Sequence, residues 1–189
     1  MAGKKTLILL FLILFGILLL GNSNLACEYS RLELIRNKLE VISNWMNIRK
    51  ELSDITGLSI LDIDFLLKVS MERDIPPYLF LSIIEQESNF NPLNVNKTSG
   101  ATGLGQFMPD TAKYIAGVEG VEYSYEMLFD IEYNIYLMGA YLEYLYKKHK
   151  DWILVLSYYG GYGGVKRNKY IDRILSRSSN YTRFFREGN

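Results

Sequence analysis

Residues 85–92 read Glu-Gln-Glu-Ser-Asn-Phe-Asn-Pro and directly follow the run Tyr-Leu-Phe-Leu-Ser-Ile-Ile at 78–84. This run is apolar nearly all round, which predicts a buried helix that starts at Pro76 and Pro77 with Asp74 as its acidic cap. Glu87 therefore lies at the end of a buried helix. Because burial disfavours a carboxylate and raises the pKa of an acid, Glu87 is a candidate proton donor near neutral pH.

Two further segments are unusual beside this one. Residues 99–112 read Ser-Gly-Ala-Thr-Gly-Leu-Gly-Gln-Phe-Met-Pro-Asp-Thr-Ala, and residues 156–165 read Leu-Ser-Tyr-Tyr-Gly-Gly-Tyr-Gly-Gly-Val. The density of Asn, Gly, Ser and Thr predicts a loop or a short β-hairpin over 89–105. Its glycines favour special backbone geometry or the close approach of a substrate.

Helical periodicity predicts a mainly α fold for the remainder. Residues 29–52 form an amphipathic helix whose apolar face either packs on the domain, the interpretation we favour, or binds a partner. Asp130 and Asp151 are predicted helix caps. The other predicted helices cover 59–72 with Ile60, Ile63 and Met71 inward, 109–117, 131–148, 152–158 and 166–176.

The composition excludes several classes of function. Hydrophobic residues make up 49% of the 189 residues, and Lys+Arg equals Asp+Glu at 21 each. A packed core is therefore expected, and nothing resembles the basic stripe of a nucleic-acid-binding protein. The single Cys27 and single His149 allow no disulfide within the chain and suggest no metal site, so no cofactor is expected.

The first 27 residues predict export. Lys4 and Lys5 precede an apolar run at 7–20 that small and polar residues end, as in a secretory signal. Leu25-Ala26-Cys27 is similar to a lipoprotein signal, although Asn24 stands where an aliphatic residue is usual. A cleaved signal peptide, lipidation of Cys27 and an uncleaved membrane anchor all remain open. The predicted organisation is 1–27 targeting segment, 28–70 N-terminal helical segment, 71–176 catalytic domain and 177–189 polar tail.

The three motifs together resemble the soluble lytic transglycosylase family, whose fold is lysozyme-like. That family reads Glu-Ser-x-Phe, then Gly-Leu-Met-Gln-hydrophobic-Met-Pro-x-Thr-Ala, then Ala-Tyr-Asn-Ala-Gly-x-Gly. The resemblance covers residues 70–176 in the family's order. Two positions depart from the family pattern, since Gly105 replaces a methionine and Tyr159 replaces an asparagine. Both departures bear on the substrate cleft and not on the carboxyl group.

The resemblance implies an enzyme that cleaves the MurNAc–GlcNAc β-1,4 bond of peptidoglycan and leaves 1,6-anhydro-MurNAc ends. Glu87 would be the catalytic acid and then the base. Ser88, Gln106 and Tyr158 would bind substrate or steady the site, with the Tyr158 hydroxyl near Glu87. The expected partners are glycan strands, the membrane through the N-terminal segment and a protein of an envelope machine. We expect a monomer in the periplasm or cell envelope.

Two rival functions remain open from the sequence. A hydrolase of the same fold, like goose-type lysozyme, would position water with an additional acid, for which Asp110 and Glu119 are candidates. A non-catalytic module would keep the fold and only bind peptidoglycan. Glu85 is expected to point about 160° away from Glu87 round the helix and to be a solvated or capping carboxylate.

Overall fold

The chain is largely helical in the computed structural model, which describes the backbone of residues 2–166 and 168–185. Side chains are described for Leu25 and, within those ranges, from Cys27 onward. The chain divides into two units, Met1–Met46 and Asn47–Asn189. The helices in chain order are α1 (Ala2–Thr56), α2 (Ile60–Glu72), α3 (Pro77–Ser88), α4 (Pro109–Glu119), α5 (Ile131–His149), α6 (Trp152–Tyr159) and α7 (Lys169–Tyr181). Short 3₁₀ helices cover Glu126–Phe129 and Thr182–Phe184.

The first unit consists of the N-terminal part of α1. Its predicted apolar face at Leu32, Leu39 and Met46 is exposed, because this unit has no second element on which the face could pack. Cys27 is also exposed. Among the described side chains, no helix is sufficiently long and apolar to cross a membrane. The predicted apolar run at 7–20 lies outside those side chains.

The core of the second unit is organised around α5, which packs against α2, α4 and α6, while α3 lies along α7. The end of α1 belongs to this core through Leu52. Phe80 and Ile83 of α3 are fully buried, as is Ile135 of α5. The predicted burial of the helix before Glu87 is therefore confirmed, and it fixes the end of that helix inside the domain.

Side-chain caps define most helix starts in this unit. The Asp130 and Asp151 carboxylates accept hydrogen bonds from backbone N–H groups of α5 and α6, as predicted. Asn168 caps α7 in the same way. The prediction that Asp74 caps α3 is wrong, because Asp74 has φ +52° in the preceding turn and the N-cap position is Pro76.

Three other local predictions differ from the structure. Ile60 and Met71 are exposed, because α2 turns only its Ile63 side toward the core. The last helix runs from Lys169 to Tyr181 and not from 166 to 176. Tyr181 is buried, so the residues directly after 176 pack against the domain and do not form a polar tail. Over 89–105 the chain is a loop. Isolated β-bridges pair Val95 with Thr102 and Thr102 with Phe107.

Candidate active site

Glu87 lies in the last turn of α3, where the backbone reverses direction sharply. Asn89 and Phe90 have φ of 51° and 61°, so two successive left-handed residues end the helix directly after Ser88. This reversal brings the glycine-rich loop opposite Glu87. The resulting pocket has a volume of about 440 Å³ and is lined by Gln86, Glu87, Asn96, Ala101, Gln106, Met108, Tyr159, Gly160, Gly161 and Tyr170.

The carboxyl group of Glu87 has a strongly perturbed acidity. Burial raises its pKa from 4.5 to about 7, while a hydrogen bond from the Tyr170 hydroxyl acts in the opposite direction. An acid with a pKa near 7 is about half protonated at neutral pH. The group can therefore donate a proton and later accept one at the same pH.

Tyr170 reaches Glu87 from the first turn of α7. Its ring is buried, and burial together with the neighbouring Glu87 charge raises its own pKa well above 10.0. The ring packs against the backbone at the end of α6, where a Cβ on Gly160 would lie 2.5 Å from it. Tyr170 therefore stays a protonated donor whose position is fixed by a glycine.

The loop opposite Glu87 is held by Asn134, which is fully buried on α5. Its Oδ1 accepts from the Gly105 N–H at 2.8 Å, and its Nδ2 donates to the Leu128 carbonyl at 2.8 Å. Gly103 has φ +80°, and a Cβ there would lie 2.2 Å from both Asn134 and the Leu128 carbonyl. Only glycine fits at this position, which confirms the backbone role expected for Gly103.

Gln106 lines the pocket, and the nitrogen of its side-chain amide is hydrogen-bonded to the backbone. Its Nε2 donates to the carbonyls of Asn94 and Gly103, each at 3.0 Å. These bonds brace the loop, and they leave Oε1 as the amide atom that can serve as an acceptor for a substrate.

Ser88 and Tyr158 each have described partners other than Glu87. The Ser88 hydroxyl is buried and donates to the Ile84 carbonyl at 3.3 Å, within its own helix. The prediction that the Tyr158 hydroxyl lies near Glu87 is wrong. Its ring instead stacks on His149 with centroids 4.1 Å apart, and it is absent from the pocket lining. The following residue, Tyr159, turns toward the pocket because successive helical side chains point about 100° apart.

Gly105 and Tyr159, the two departures from the family pattern, lie against each other. The Tyr159 hydroxyl donates to the Gly105 carbonyl at 2.8 Å. A Cβ on Gly105 would lie 2.8 Å from that hydroxyl and 2.4 Å from Met138. The two departures are therefore coupled in space, since a side chain at 105 would meet the Tyr159 hydroxyl as well as Met138.

The other acids named from the sequence lie elsewhere. Glu119 is bound by Arg73 at 2.5 Å and by the Tyr136 hydroxyl at 2.7 Å. Asp110 lies in the first turn of α4, outside the pocket lining. Glu85 is not simply solvated, because Arg177 and the Tyr181 hydroxyl bind it from α7. Of the described residues that line the pocket, Glu87 is the one carboxylic acid.

No metal-binding arrangement occurs among the described residues, where no group of three His, Cys, Asp or Glu side chains could hold an ion. Tyr170 and Asn134 lie in two further segments, 134–142 and 168–171, that resemble the family, but the sequence assigned neither residue a role at the Glu87 pocket. A buried asparagine on an otherwise apolar helix face was a usable signal for Asn134. No local signal paired Tyr170 with Glu87, since the two residues are 83 positions apart in the chain.

The helical fold agrees with comparisons to known proteins. The family model of the transglycosylase SLT domain matches residues 65–179, more than half of the chain. An inactive glutamate-to-glutamine mutant of lytic transglycosylase Slt from Pseudomonas aeruginosa is 22% identical with a TM-score of 0.60, covering 65% of this chain and 24% of that protein. A 70-kDa soluble lytic transglycosylase in complex with bulgecin A is 23% identical with a TM-score of 0.59, covering 67% and 24%. No curated protein matches the chain significantly.

At these identities the solved structures show a common fold, and the chain spans about a quarter of their length. The family-model match over residues 65–179 contains all three motifs that line or support the Glu87 pocket. The predicted fold class, a mainly α lysozyme-like domain with a short loop excursion, is confirmed. The chain therefore belongs to the transglycosylase SLT family.

Proposed function

We propose that this protein is a peptidoglycan lytic transglycosylase that cleaves the MurNAc–GlcNAc β-1,4 bond and forms 1,6-anhydro-MurNAc ends. The observation that carries the proposal is a single, largely buried carboxyl group with a pKa raised to about 7 in a glycine-walled pocket. A hydrolase that activates water would need a second acid across the pocket. Among the described lining residues there is no second acid, which supports the lyase.

In the proposed reaction, protonated Glu87 first donates its proton to the bridging oxygen, and the bond from that oxygen to C1 of MurNAc breaks. The N-acetyl group of the substrate supports the cationic centre at C1. The Glu87 carboxylate then accepts the proton of the C6 hydroxyl of the same sugar, and that oxygen bonds to C1. Because the attacking hydroxyl is tethered to the reacting sugar, it competes well against water.

The surrounding residues have distinct proposed roles. Tyr170 orients the Glu87 carboxyl group and stabilises its charged form after the first proton transfer. Gln106 accepts a hydrogen bond from a substrate N–H or hydroxyl through Oε1. Ser88 supports the helix end that carries Glu87, and Tyr158 is proposed to bind the strand with its exposed ring and not to contact Glu87.

Action on peptidoglycan requires that the catalytic domain reach the cell envelope. We propose that residues 1–27 direct export, and that lipidation of Cys27 or retention of the N-terminal segment keeps the enzyme at the membrane. The exposed position of Cys27 supports access by a modifying enzyme. A single acyl chain gives only marginal membrane binding, so firm anchoring would need further chains or the retained segment.

The decisive experiment is mass spectrometry of the products released from purified peptidoglycan by the full-length chain and by Glu87→Gln. We expect anhydro-ended fragments from the wild type, and at least about a thousandfold less product from the variant because it lacks the transferable proton. Reducing-ended fragments would identify a hydrolase. No fragments from a folded wild-type protein would identify a binding module.

A further inference from the structure

Helix α4 begins beside the pocket that holds Glu87. Met108 lines the pocket and is also the N-cap residue of α4, so the helix begins at the pocket rim. Further along α4 lies a shallow depression of about 480 Å³, lined by Asp110, Lys113, Tyr114, Gly117 and Val118. Residues spaced three and four apart share one helix face, so this face leads away from the rim.

A second route of contacts joins the same two places through aromatic rings. The ring centroids of Tyr159, which lines the pocket, and Tyr141 are 5.5 Å apart. Tyr141 stacks on Tyr144 with centroids 6.5 Å apart, and Tyr144 contacts Tyr114 edge-on with centroids 6.1 Å apart. Exposure rises along this series, from the partly buried Tyr159 and Tyr141 to 38% for Tyr144 and 55% for Tyr114. The outer pair is in edge-to-face contact, with an angle of 78° between the two ring planes.

We propose that Tyr114 and Tyr144, with the depression on α4, form a remote binding site for a saccharide of the same glycan strand whose cleaved bond lies at Glu87. This inference rests on the proposed function. A sugar ring has an apolar face and a polar edge, and it matches a fixed aromatic surface beside charged groups. Asp110 and Lys113 supply the acceptor and the donor at this depression.

The occupant follows from the start of α4 at the pocket and from the ring contacts that lead from Tyr159 to Tyr114. A linear polymer held in the pocket must leave it along the protein surface, and α4 offers an exit that starts at Met108. Gly117 keeps this exit open, because a Cβ there would meet no atom within 4 Å and would project into free space. Single exposed apolar residues are normal, whereas an exposed tyrosine pair that ring contacts connect to Tyr159 of the catalytic pocket indicates a binding function.

The test compares the cleavage of peptide-free glycan chains of two lengths, the shortest that the wild type cleaves and long ones. The full protein chain is used in every assay. Tyr114→Ala removes the aromatic surface, and Gly117→Gln fills the depression. We expect each variant to lower the ratio of kcat/KM for long chains to that for short chains by about threefold to tenfold, through KM. Tyr29→Ala, which removes an exposed tyrosine of α1, should keep the wild-type ratio.

Gly117→Gln also separates binding from folding, because replacing a helical glycine with a good helix former should keep or raise the thermal midpoint. A ratio that stays at the wild-type value in both variants would overturn this inference alone. A loss seen only with peptide-bearing strands would also overturn it, since the depression would then bind stem peptide. A wild type that cleaves neither chain length would overturn the proposed function and this inference with it.

Discussion

Glu87 and Glu119 are glutamates of the same domain in opposite electrostatic surroundings. Burial raises the pKa of Glu87 to about 7, and its described hydrogen-bond partner is the neutral Tyr170 hydroxyl. Glu119 is held by Arg73, and this hydrogen bond lowers its pKa despite partial burial. Arg73 also binds Glu143 at 2.7 Å, so one guanidinium serves two carboxylates between α2, α4 and α5.

The difference shows how one domain keeps a reactive acid apart from structural ones. A guanidinium stabilises a carboxylate and makes it a poor proton donor at neutral pH. Within the described part of the chain no ion pair involves Glu87, so its proton is retained at the cost of stability. The Arg73 cluster contributes stability and no transferable proton. The comparison predicts opposite responses when each site is altered.

The largest effect on stability is expected when Arg73, which binds both Glu119 and Glu143, is replaced. Arg73→Met would leave Glu119 and Glu143 without the guanidinium that both contact, in a place where the Arg73 side chain is only 13% exposed. We expect a loss of about 3 kcal/mol in the free energy of unfolding at pH 7, measured by urea denaturation. Lys68→Met breaks an exposed 3.9 Å pair with Glu72 and should have little effect.

The direction in which this loss changes with pH follows from the lowered pKa of Glu119. Because the folded pKa of Glu119 is lowered, its pairing stabilises the wild type above 4.5, and this contribution disappears as the pH falls through the lower folded value. The destabilisation by Arg73→Met should therefore shrink in acid. A penalty that stays constant down to low pH would show that Arg73 acts by packing alone.

Glu87 should show the opposite behaviour. Because its folded pKa is raised, the wild type loses stability as the pH rises from 4.5 through about 7, since the unfolded state releases the proton while the folded state retains it. Glu87→Gln carries no charge and avoids this loss. We expect the variant to be about 2 kcal/mol more stable than the wild type at pH 8 and nearly equal at pH 5. Equal unfolding curves at pH 8 would contradict the raised pKa.

The sequence predicted more of the Glu87 region than of the Glu119 region. Helix identities, the Asp130 and Asp151 caps and the position of Glu87 follow from local patterns, because each depends on neighbours within one turn. The Arg73 cluster joins residues 46 and 70 positions apart, and no local signal pairs them. The contact of Tyr170 with Glu87 depends on how α7 lies along α3, which only tertiary packing decides.

The tyrosine prediction shows the limit most clearly. The motif favoured Tyr158, yet α6 turns Tyr158 toward His149 and Tyr159 toward the pocket. The departures at 105 and 159 looked like two separate changes in the sequence. In space they are coupled, because a side chain at 105 would meet the Tyr159 hydroxyl together with Met138.

Tyr170→Phe tests the one hydroxyl that contacts Glu87. The hydrogen bond from Tyr170 lowers the pKa of Glu87, so its loss should move the alkaline limb of the kcat/KM profile to a pH above that of the wild type. We also expect kcat/KM at the optimum to fall about tenfold, because the carboxylate formed after proton donation loses a donor. A limb that moves to lower pH would refute the assigned direction.

Tyr159→Phe is the matched control for Tyr170→Phe and the smallest expected effect. Both rings line the pocket, but the Tyr159 hydroxyl donates to the Gly105 carbonyl at 2.8 Å and not to Glu87. Its loss should lower the free energy of unfolding by about 1 kcal/mol. The alkaline limb should stay at the wild-type pH, since burial and Tyr170 alone set the pKa of Glu87. A shift as large as that of Tyr170→Phe would mean that the pocket as a whole, and no single hydroxyl, distinguishes Glu87 from Glu119.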